Sequence, residues 1–371
     1  MTAPSIKKPF YLPELDILRA GAFFAVFISH WAPEVEAAYL QHGLSPLLAH
    51  SFYSLTQAGG AGVLLFFCLS SYLITKLLLG EIAANGSINV GAFYLRRILR
   101  IWPLYLLFTA FAALLPFVDP EQRFGPRDIL AFLFFCGNWL WALHCSLYTV
   151  ASPLWSVSVE EQFYLCWPWV IRRSTPVRIQ RIAIWLLVIA ALNRVLVVTG
   201  IEPTTLRHNT LTQLDSIALG ALLALGVDQR GDDVRRRHRF LIIAIAAASI
   251  LLNKFLLGDN DPGPYSLVYY PMVSLACAVI LWATLGVELR RDSAPTRLLI
   301  FLGTISYGLY VVHHFALYAV DALYARLPHI GFIAAILLRG VAAMALTIGL
   351  AMLSYRFLER PFLRLKSRFE R

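Results

Sequence analysis

The chain has 371 residues, of which 58% are hydrophobic and only 15% charged, and its mean hydropathy is +0.65. A soluble domain of this size cannot bury that much apolar surface, so composition excludes a soluble globular enzyme and leaves an all-α, polytopic membrane protein. The net charge of +10 would suit a nucleic-acid partner, yet Lys and Arg concentrate in short loops and at the two ends, where the positive-inside rule places them.

Apolar segments fall near 15–33, 58–80, 101–118, 128–143, 155–171, 182–199, 211–228, 240–257, 267–286, 299–320 and 331–356. Basic flanks at Lys7-Lys8 and across Arg356–Arg371 put both termini in the cytoplasm, which requires an even number of crossings. Two basic loops, Arg96-Arg97-Arg100 and Arg172-Arg173 with Arg178 and Arg181, both belong inside. The short piece 128–143 between them is therefore read as re-entrant or interfacial on the outer side, leaving ten spans. Basic stretches at Arg230–Arg239 and Arg290-Arg291 then also fall inside. Lys7-Lys8 resembles a signal-peptide n-region, but the helix after it carries Asp16 and Arg19 and lacks an A-x-A-type site, so it is read as a retained first span. No repeat or low-complexity tract divides residues 1–371, which read as one transmembrane domain. Cys68, Cys136, Cys145, Cys166 and Cys277 show no CxxC or disulfide spacing and read as packing residues.

In chain order, the first segment is interrupted by Asp16, Arg19 and His30. Charge at that depth costs about 2.5–3.5 kcal/mol even on lenient insertion scales, so such residues face protein and mark a functional pathway. Arg19 and His30 are 11 residues apart, three turns plus about 20°, so they share one helix face roughly 16 Å apart along the axis. The topology places Arg19 and the Arg96, Arg97 and Arg100 cluster near the inner mouth. His30, Glu160, Glu161 and Asp215 share an outer level with His313 and His314.

A neutral His beside a carboxylate is a suitable general base for a hydroxyl, because the carboxylate fixes its tautomer and stabilises the imidazolium. Arg97 with Arg100 and Arg96 with Arg100 stand at i,i+3 and i,i+4, a spacing that presents guanidinium groups together to phosphate oxygens. Blander readings compete. The arginines read first as an orientation signal or lipid contact, and His313-His314 as interfacial residues. Asp215 reads equally as a helix N-terminal residue with Thr212 as its cap, and Ser70-Ser71 as packing without a Gly-x-Ser-x-Gly elbow. The adjacent Glu160-Glu161 pair favours function, since two carboxylates there need partners. No HExxH, Walker, GxGxxG or zinc spacing supports metal or nucleotide chemistry. A proton-coupled transporter or flippase is the alternative, though the repeated halves expected of one are not found. A structural scaffold does not explain the carboxylates.

The chain resembles the acyltransferase-3 membrane acyltransferases along nearly its whole length. The resemblance is carried by Leu15-Asp16-Ile17-Leu18-Arg19-Ala20 with His30, Phe66-Phe67-Cys68-Leu69-Ser70-Ser71-Tyr72, Tyr94-Leu95-Arg96-Arg97-Ile98-Leu99-Arg100, Trp155-Ser156-Val157-Ser158-Val159-Glu160-Glu161-Gln162-Phe163-Tyr164, Gly303-Thr304-Ile305-Ser306-Tyr307 and Glu359-Arg360-Pro361-Phe362. It implies ten helices in a bacterial inner membrane, moving an acyl group from acyl-CoA, usually acetyl-CoA, to a hydroxyl of an envelope glycan, glycolipid or small molecule. It further implies that Arg19 and His30 are the family's Arg-x10-His pair, and Arg97 and Arg100 its donor-side Arg-x-x-Arg motif. Acyl-CoA is then a co-substrate, with no bound cofactor expected. His30 would deprotonate the acceptor or transiently carry the acyl group, with Glu160 or Glu161 orienting it. Arg19 would hold the donor or pair with Asp16. Two departures stand out: Ser71 replaces a usual Gly, and Gln213-Leu214-Asp215 lacks the family's preceding Arg. Many relatives append an SGNH hydrolase-like domain; ending at Arg371, this chain is expected to transfer directly to its final acceptor.

Overall fold

The computed structural model describes residues 11–144, 149–226, 233–258, 263–325 and 331–366, and among these the chain is helical with no strand. Lys7, Lys8, Cys145, Arg230 and residues 367–371, on which part of the topology and cysteine reading rests, lie outside the described residues. The first helices are α1 (Pro13–Trp31), α2 (Glu36–Gln41), α3 (Pro46–Gln57), α4 (Ala61–Asn85) and α5 (Val90–Leu114). Then come α6 (Pro126–Leu133), α7 (Gly137–His144), α8 (Leu154–Arg172), α9 (Pro176–Val198), α10 (Leu214–Gly226), α11 (Asp233–Leu257) and α12 (Ser266–Thr284). The chain closes with α13 (Ala294–Thr304), α14 (Ser306–Tyr324), α15 (Phe332–Ser354), a π-helical turn at Tyr355–Glu359 and α16 (Arg360–Lys366).

Local chemistry sets many of the starts. Proline occupies the first turn of α1, α3, α6, α9 and α13, where its missing N–H costs no helical hydrogen bond. Asn89, Thr175 and Ser293 accept the N–H groups of Ala92, Arg178 and Thr296 at the starts of α5, α9 and α13. Among the described residues, six helical stretches are long and apolar enough to cross a membrane, or seven if α13 and α14 form one broken span. Helices α1 and α8 fall outside that set because of the charged and polar residues that make them interesting, and α10 because it is short.

Segment 128–143 resolves into α6 and α7, eight residues each, so neither extends beyond about 12 Å. Segment 299–320, read from the sequence as one apolar span, is bent by 76° at Ile305 between α13 and α14. The break falls inside the Gly303–Tyr307 motif. A Cβ at Gly303 would run into the backbone of Asp16, so glycine there lets α13 lie directly on α1. Past the bend, α14 turns its first three turns into the bundle, burying Tyr310 and His313.

The stretch containing α4 forms the centre, packing on α1, α8, α10 and α12. Its apolar window is 61% buried within the protein, against 11% for α11, whose remaining surface matches a lipid-facing role. Trp185 and Leu192 on α9 and Val341 on α15 are likewise exposed apolar groups on membrane-length helices. The chain is an integral membrane protein. The departure at Ser71 is accommodated across the α4–α10 contact. Ser71 Oγ donates to the Ile217 carbonyl at 2.6 Å, and the facing residue is Gly220, where a Cβ would meet Ser71 Oγ and the Cys68 carbonyl.

Candidate active site

A cavity of about 1210 Å³ lies among α1, α4, α5, α8 and α14, larger than most small-molecule pockets. Asn85, Ser87 and Asn89, in and around the α4–α5 turn, line one end. Arg19, Arg96, Arg97 and Arg100 all line it, so the α5 cluster faces a cavity rather than only a membrane surface. Their surroundings differ. Arg96 reaches Glu81 at 3.2 Å. Arg97 lies over the rings of Phe93 and Tyr164 at 5.6 and 5.8 Å, with its buried Nε left without a hydrogen-bond partner among the described residues. Arg19 pairs with Asp16 at 2.7 Å, as the sequence allowed.

Glu160 enters the same cavity. It accepts from Ser70 Oγ at 2.6 Å and from Tyr164 at 3.1 Å, and it lies in the field of Arg19 and Arg100. Glu161 accepts from Trp102 Nε1 at 3.1 Å, while its other oxygen is buried without a partner among the described residues. Ser70 is thus a member of the carboxylate network, beyond the packing role assigned from sequence. Neither glutamate is hydrogen-bonded to His30, which corrects the expected His–carboxylate pair. The reason is position along the helix: Ser156, four residues before Glu160 and on the same face of α8, bonds Tyr310 beside the histidines, while Glu160 sits about 6 Å further along, at Ser70 and Tyr164.

The partner of His30 is His313. His30 Nδ1 and His313 Nε2 are 3.0 Å apart, and His313 Nδ1 lies 2.6 Å from the Tyr310 carbonyl. A carbonyl only accepts, so His313 carries its proton on Nδ1 and, when neutral, accepts at Nε2. His30 must then donate from Nδ1, which leaves its Nε2 lone pair as the basic atom. His314 completes the cluster, its ring 4.4 Å from that of His30. The cavity stops short of these rings. Its wall there includes Tyr310 and Ser156, whose hydroxyls are 2.7 Å apart. Tyr310 therefore closes the cavity with its side chain and fixes His313 with its carbonyl.

Asp215 is not brought to this site. Its buried carboxylate accepts from Arg194 of α9 at 2.6 Å and from the Ser216 N–H at 2.7 Å, and Arg194 also donates to the Thr212 carbonyl. The cation beside Asp215 thus comes from another helix, and the pair ties α9 to α10. Thr212 is no cap: its hydroxyl donates to the carbonyls of Leu206 and Asn209. Cys68 and Cys277 are buried, but Cys136 and Cys166 are exposed and do not serve as packing.

Sequence reasoning missed Tyr164, Tyr310 and Glu359. Glu359 follows from the π-helical turn, which directs it into the cavity, where it accepts from Ser354 at 3.0 Å and shares the wall with Arg100. Its signal was the Glu359-Arg360-Pro361-Phe362 motif.

A membrane-embedded helical bundle with an arginine-lined cavity leading to a hydrogen-bonded histidine pair suits transfer of a group between a charged donor and an acceptor. The chain belongs to the acyltransferase-3 family: the family described as "Acyltransferase domain" matches residues 12–356. It is 28% identical over 377 residues to the peptidoglycan O-acetyltransferase OatA of Listeria monocytogenes, covering 95% of this chain and 56% of that protein. It is also 28% identical over 375 residues to the O-acetyltransferase OatA of Staphylococcus aureus, covering 95% of this chain and 57% of that protein. The chain thus spans little more than half the length of these relatives. No solved structure gives a significant match.

Proposed function

We propose that this protein is a membrane O-acyltransferase that moves an acyl group, in first place acetyl, from acyl-CoA to a hydroxyl of an envelope glycan such as peptidoglycan. The observation that carries this reading is a single continuous arrangement: the arginine-lined cavity ends on Tyr310, and Tyr310 holds His313 against His30. In this reading α1, α8 and α10 join the seven apolar spans to make ten, with both termini cytoplasmic and the arginine mouth facing the cytoplasm of a bacterial inner membrane.

The donor's phosphates bind at Arg97 and Arg100, with Arg96 at the mouth, because guanidinium groups match phosphate oxygens in pairs. Arg19, held by Asp16, supports the pantetheine arm further in. The thioester passes the Ser156–Tyr310 pair to reach His30. His30 Nε2 takes the acceptor's hydroxyl proton as the oxygen attacks the thioester carbonyl. The C–S bond then breaks, and the proton passes from the imidazolium to the departing sulfur, giving an ester and free CoA. His313 Nε2 accepts the His30 Nδ1–H throughout, which keeps the base in its working tautomer. Glu160, Ser70 and Tyr164 hold the arginine end in place.

The test uses inside-out vesicles containing wild-type protein or His30→Ala, given radiolabelled acetyl-CoA and envelope extract. Label in an alkali-labile product with the wild type alone is the expected result. Equal labelling by a folded, inserted His30→Ala protein would remove the mechanism. Absence of label across a panel of acyl-CoA donors and acceptors would remove the activity and favour transport.

A further inference from the structure

His30, His313 and His314 offer ring nitrogens that all lie within 4.8 Å of one another, on two helices whose contact is fixed by packing. His30 Nδ1 and His313 Nε2, 3.0 Å apart, are already near the separation of about 3.3 Å that two nitrogens adopt on one tetrahedral zinc ion. The His314 plane stands 80° from that of His30 and 85° from that of His313, while His30 and His313 differ by 31°.

The surroundings have the form of a metal site's outer shell. A ligating histidine usually donates its other N–H to a carboxylate or backbone carbonyl, which orients the ring and sets its tautomer. His313 does this to Tyr310, and His314 hydrogen-bonds the backbone of Thr149. The donor set is three imidazoles with no carboxylate, which suits zinc-class transition metals and disfavours magnesium or calcium. No linear motif announces it, because 283 residues separate His30 from His313.

We propose that His30, His313 and His314 form a binding site for one divalent transition-metal ion of the zinc class, and that its occupation switches acyl transfer off. The binding half stands on the histidines alone; the switch rests on the role proposed for His30. Metal bound at His30 Nε2 takes the basic lone pair directly. Metal bound at Nδ1 moves that nitrogen's proton to Nε2, so Nε2 becomes an N–H and is again no base. In both cases the His313 Nε2 lone pair goes to the metal and the tautomer-fixing hydrogen bond is lost.

The test begins with the purified full chain in detergent, its exposed Cys136 and Cys166 thiols alkylated, titrated with Co2+ as an optical probe. The expected result is one equivalent of Co2+ with the visible bands of a tetrahedral nitrogen site, displaced by Zn2+ and lost in His314→Ala and His314→Gln. X-ray absorption on Zn2+-loaded wild type should show imidazole nitrogens at about 2.0 Å and no sulfur. Sulfur ligation, or a Co2+ spectrum unchanged in both His314 variants, overturns the site. In vesicles, Zn2+ at about ten times its Kd should lower wild-type transfer about tenfold. His314→Gln should lose this sensitivity, read as the ratio of transfer with and without Zn2+ in the same vesicles. Transfer untouched by saturating Zn2+ overturns the switch. Vesicles that never transfer label refute the acyltransferase reading instead, and the Co2+ titration still decides the site.

Discussion

The two ends of the candidate site solve different electrostatic problems. At the arginine end, cations are matched by Asp16, Glu81, Glu160 and aromatic faces around a wide space. At the histidine end, imidazoles are held by one another and by backbone carbonyls, with no carboxylate among the described residues hydrogen-bonded to His30 or His313. The first arrangement is suited to holding a polyanion, which needs charge. The second is suited to moving a proton, which needs a fixed tautomer and a base that is neutral at rest. On this division, damage to one end should appear in donor binding and damage to the other in turnover.

The sharpest contrast comes from His313→Asn. Asparagine can still donate to the Tyr310 carbonyl but cannot offer the acceptor at Nε2, so His30 loses its orientation. Turnover should fall by on the order of 10²-fold with little change in donor KM, as measured by initial rates of transfer. A rise in KM with unchanged kcat would merge the two ends into one.

At the other end, Arg97→Ala should weaken donor binding by about 10-fold or more, through loss of charge-assisted contacts worth about 1.5–3 kcal/mol. Arg97→Lys should recover little, because Arg97 sits over the Phe93 and Tyr164 rings and an ammonium offers neither the planar fork nor its paired contacts to phosphate oxygens. Full rescue by lysine in a donor-binding isotherm would reduce Arg97 to a topogenic charge.

The smallest effect tests the scaffold beneath the arginine end. Gly220→Ala pushes α10 against Ser71 and the Cys68 carbonyl, and overpacking of this kind costs about 1–3 kcal/mol. The midpoint of thermal unfolding in detergent should drop. Donor KM should rise as Ser70 shifts from Glu160, while the rate at saturating donor holds. An unchanged midpoint would mean that α4 and α10 can separate freely.

How much of this was legible in the sequence depends on the range of the interaction. Helical phase is local, so the shared face of Arg19 and His30 and the clustering of Arg96, Arg97 and Arg100 followed from residue spacing. The shortness of segment 128–143 was legible too, though not its division into α6 and α7. The partner of His30 was not, because spacing within one helix does not say which residues of another helix come level with it. Glu160 and His30 were placed at one level, yet it is Ser156, about 6 Å along α8 from Glu160, that meets Tyr310 beside the histidines. The bend at Ile305 was hidden because no proline marks it. Its cause is tertiary, the close seat of Gly303 on α1. Asp215 was misplaced for the same reason, since its cation comes from Arg194, 21 residues earlier on another helix.

The most direct test of the division is binding of a non-transferable acyl-CoA analogue, by calorimetry, to wild type, His30→Ala and Arg97→Ala, with transfer measured on the same preparations. The account predicts that His30→Ala binds the analogue like wild type while transferring nothing, and that Arg97→Ala binds it at least about 10-fold more weakly. Wild-type affinity in Arg97→Ala, or loss of affinity in a folded His30→Ala, would contradict it.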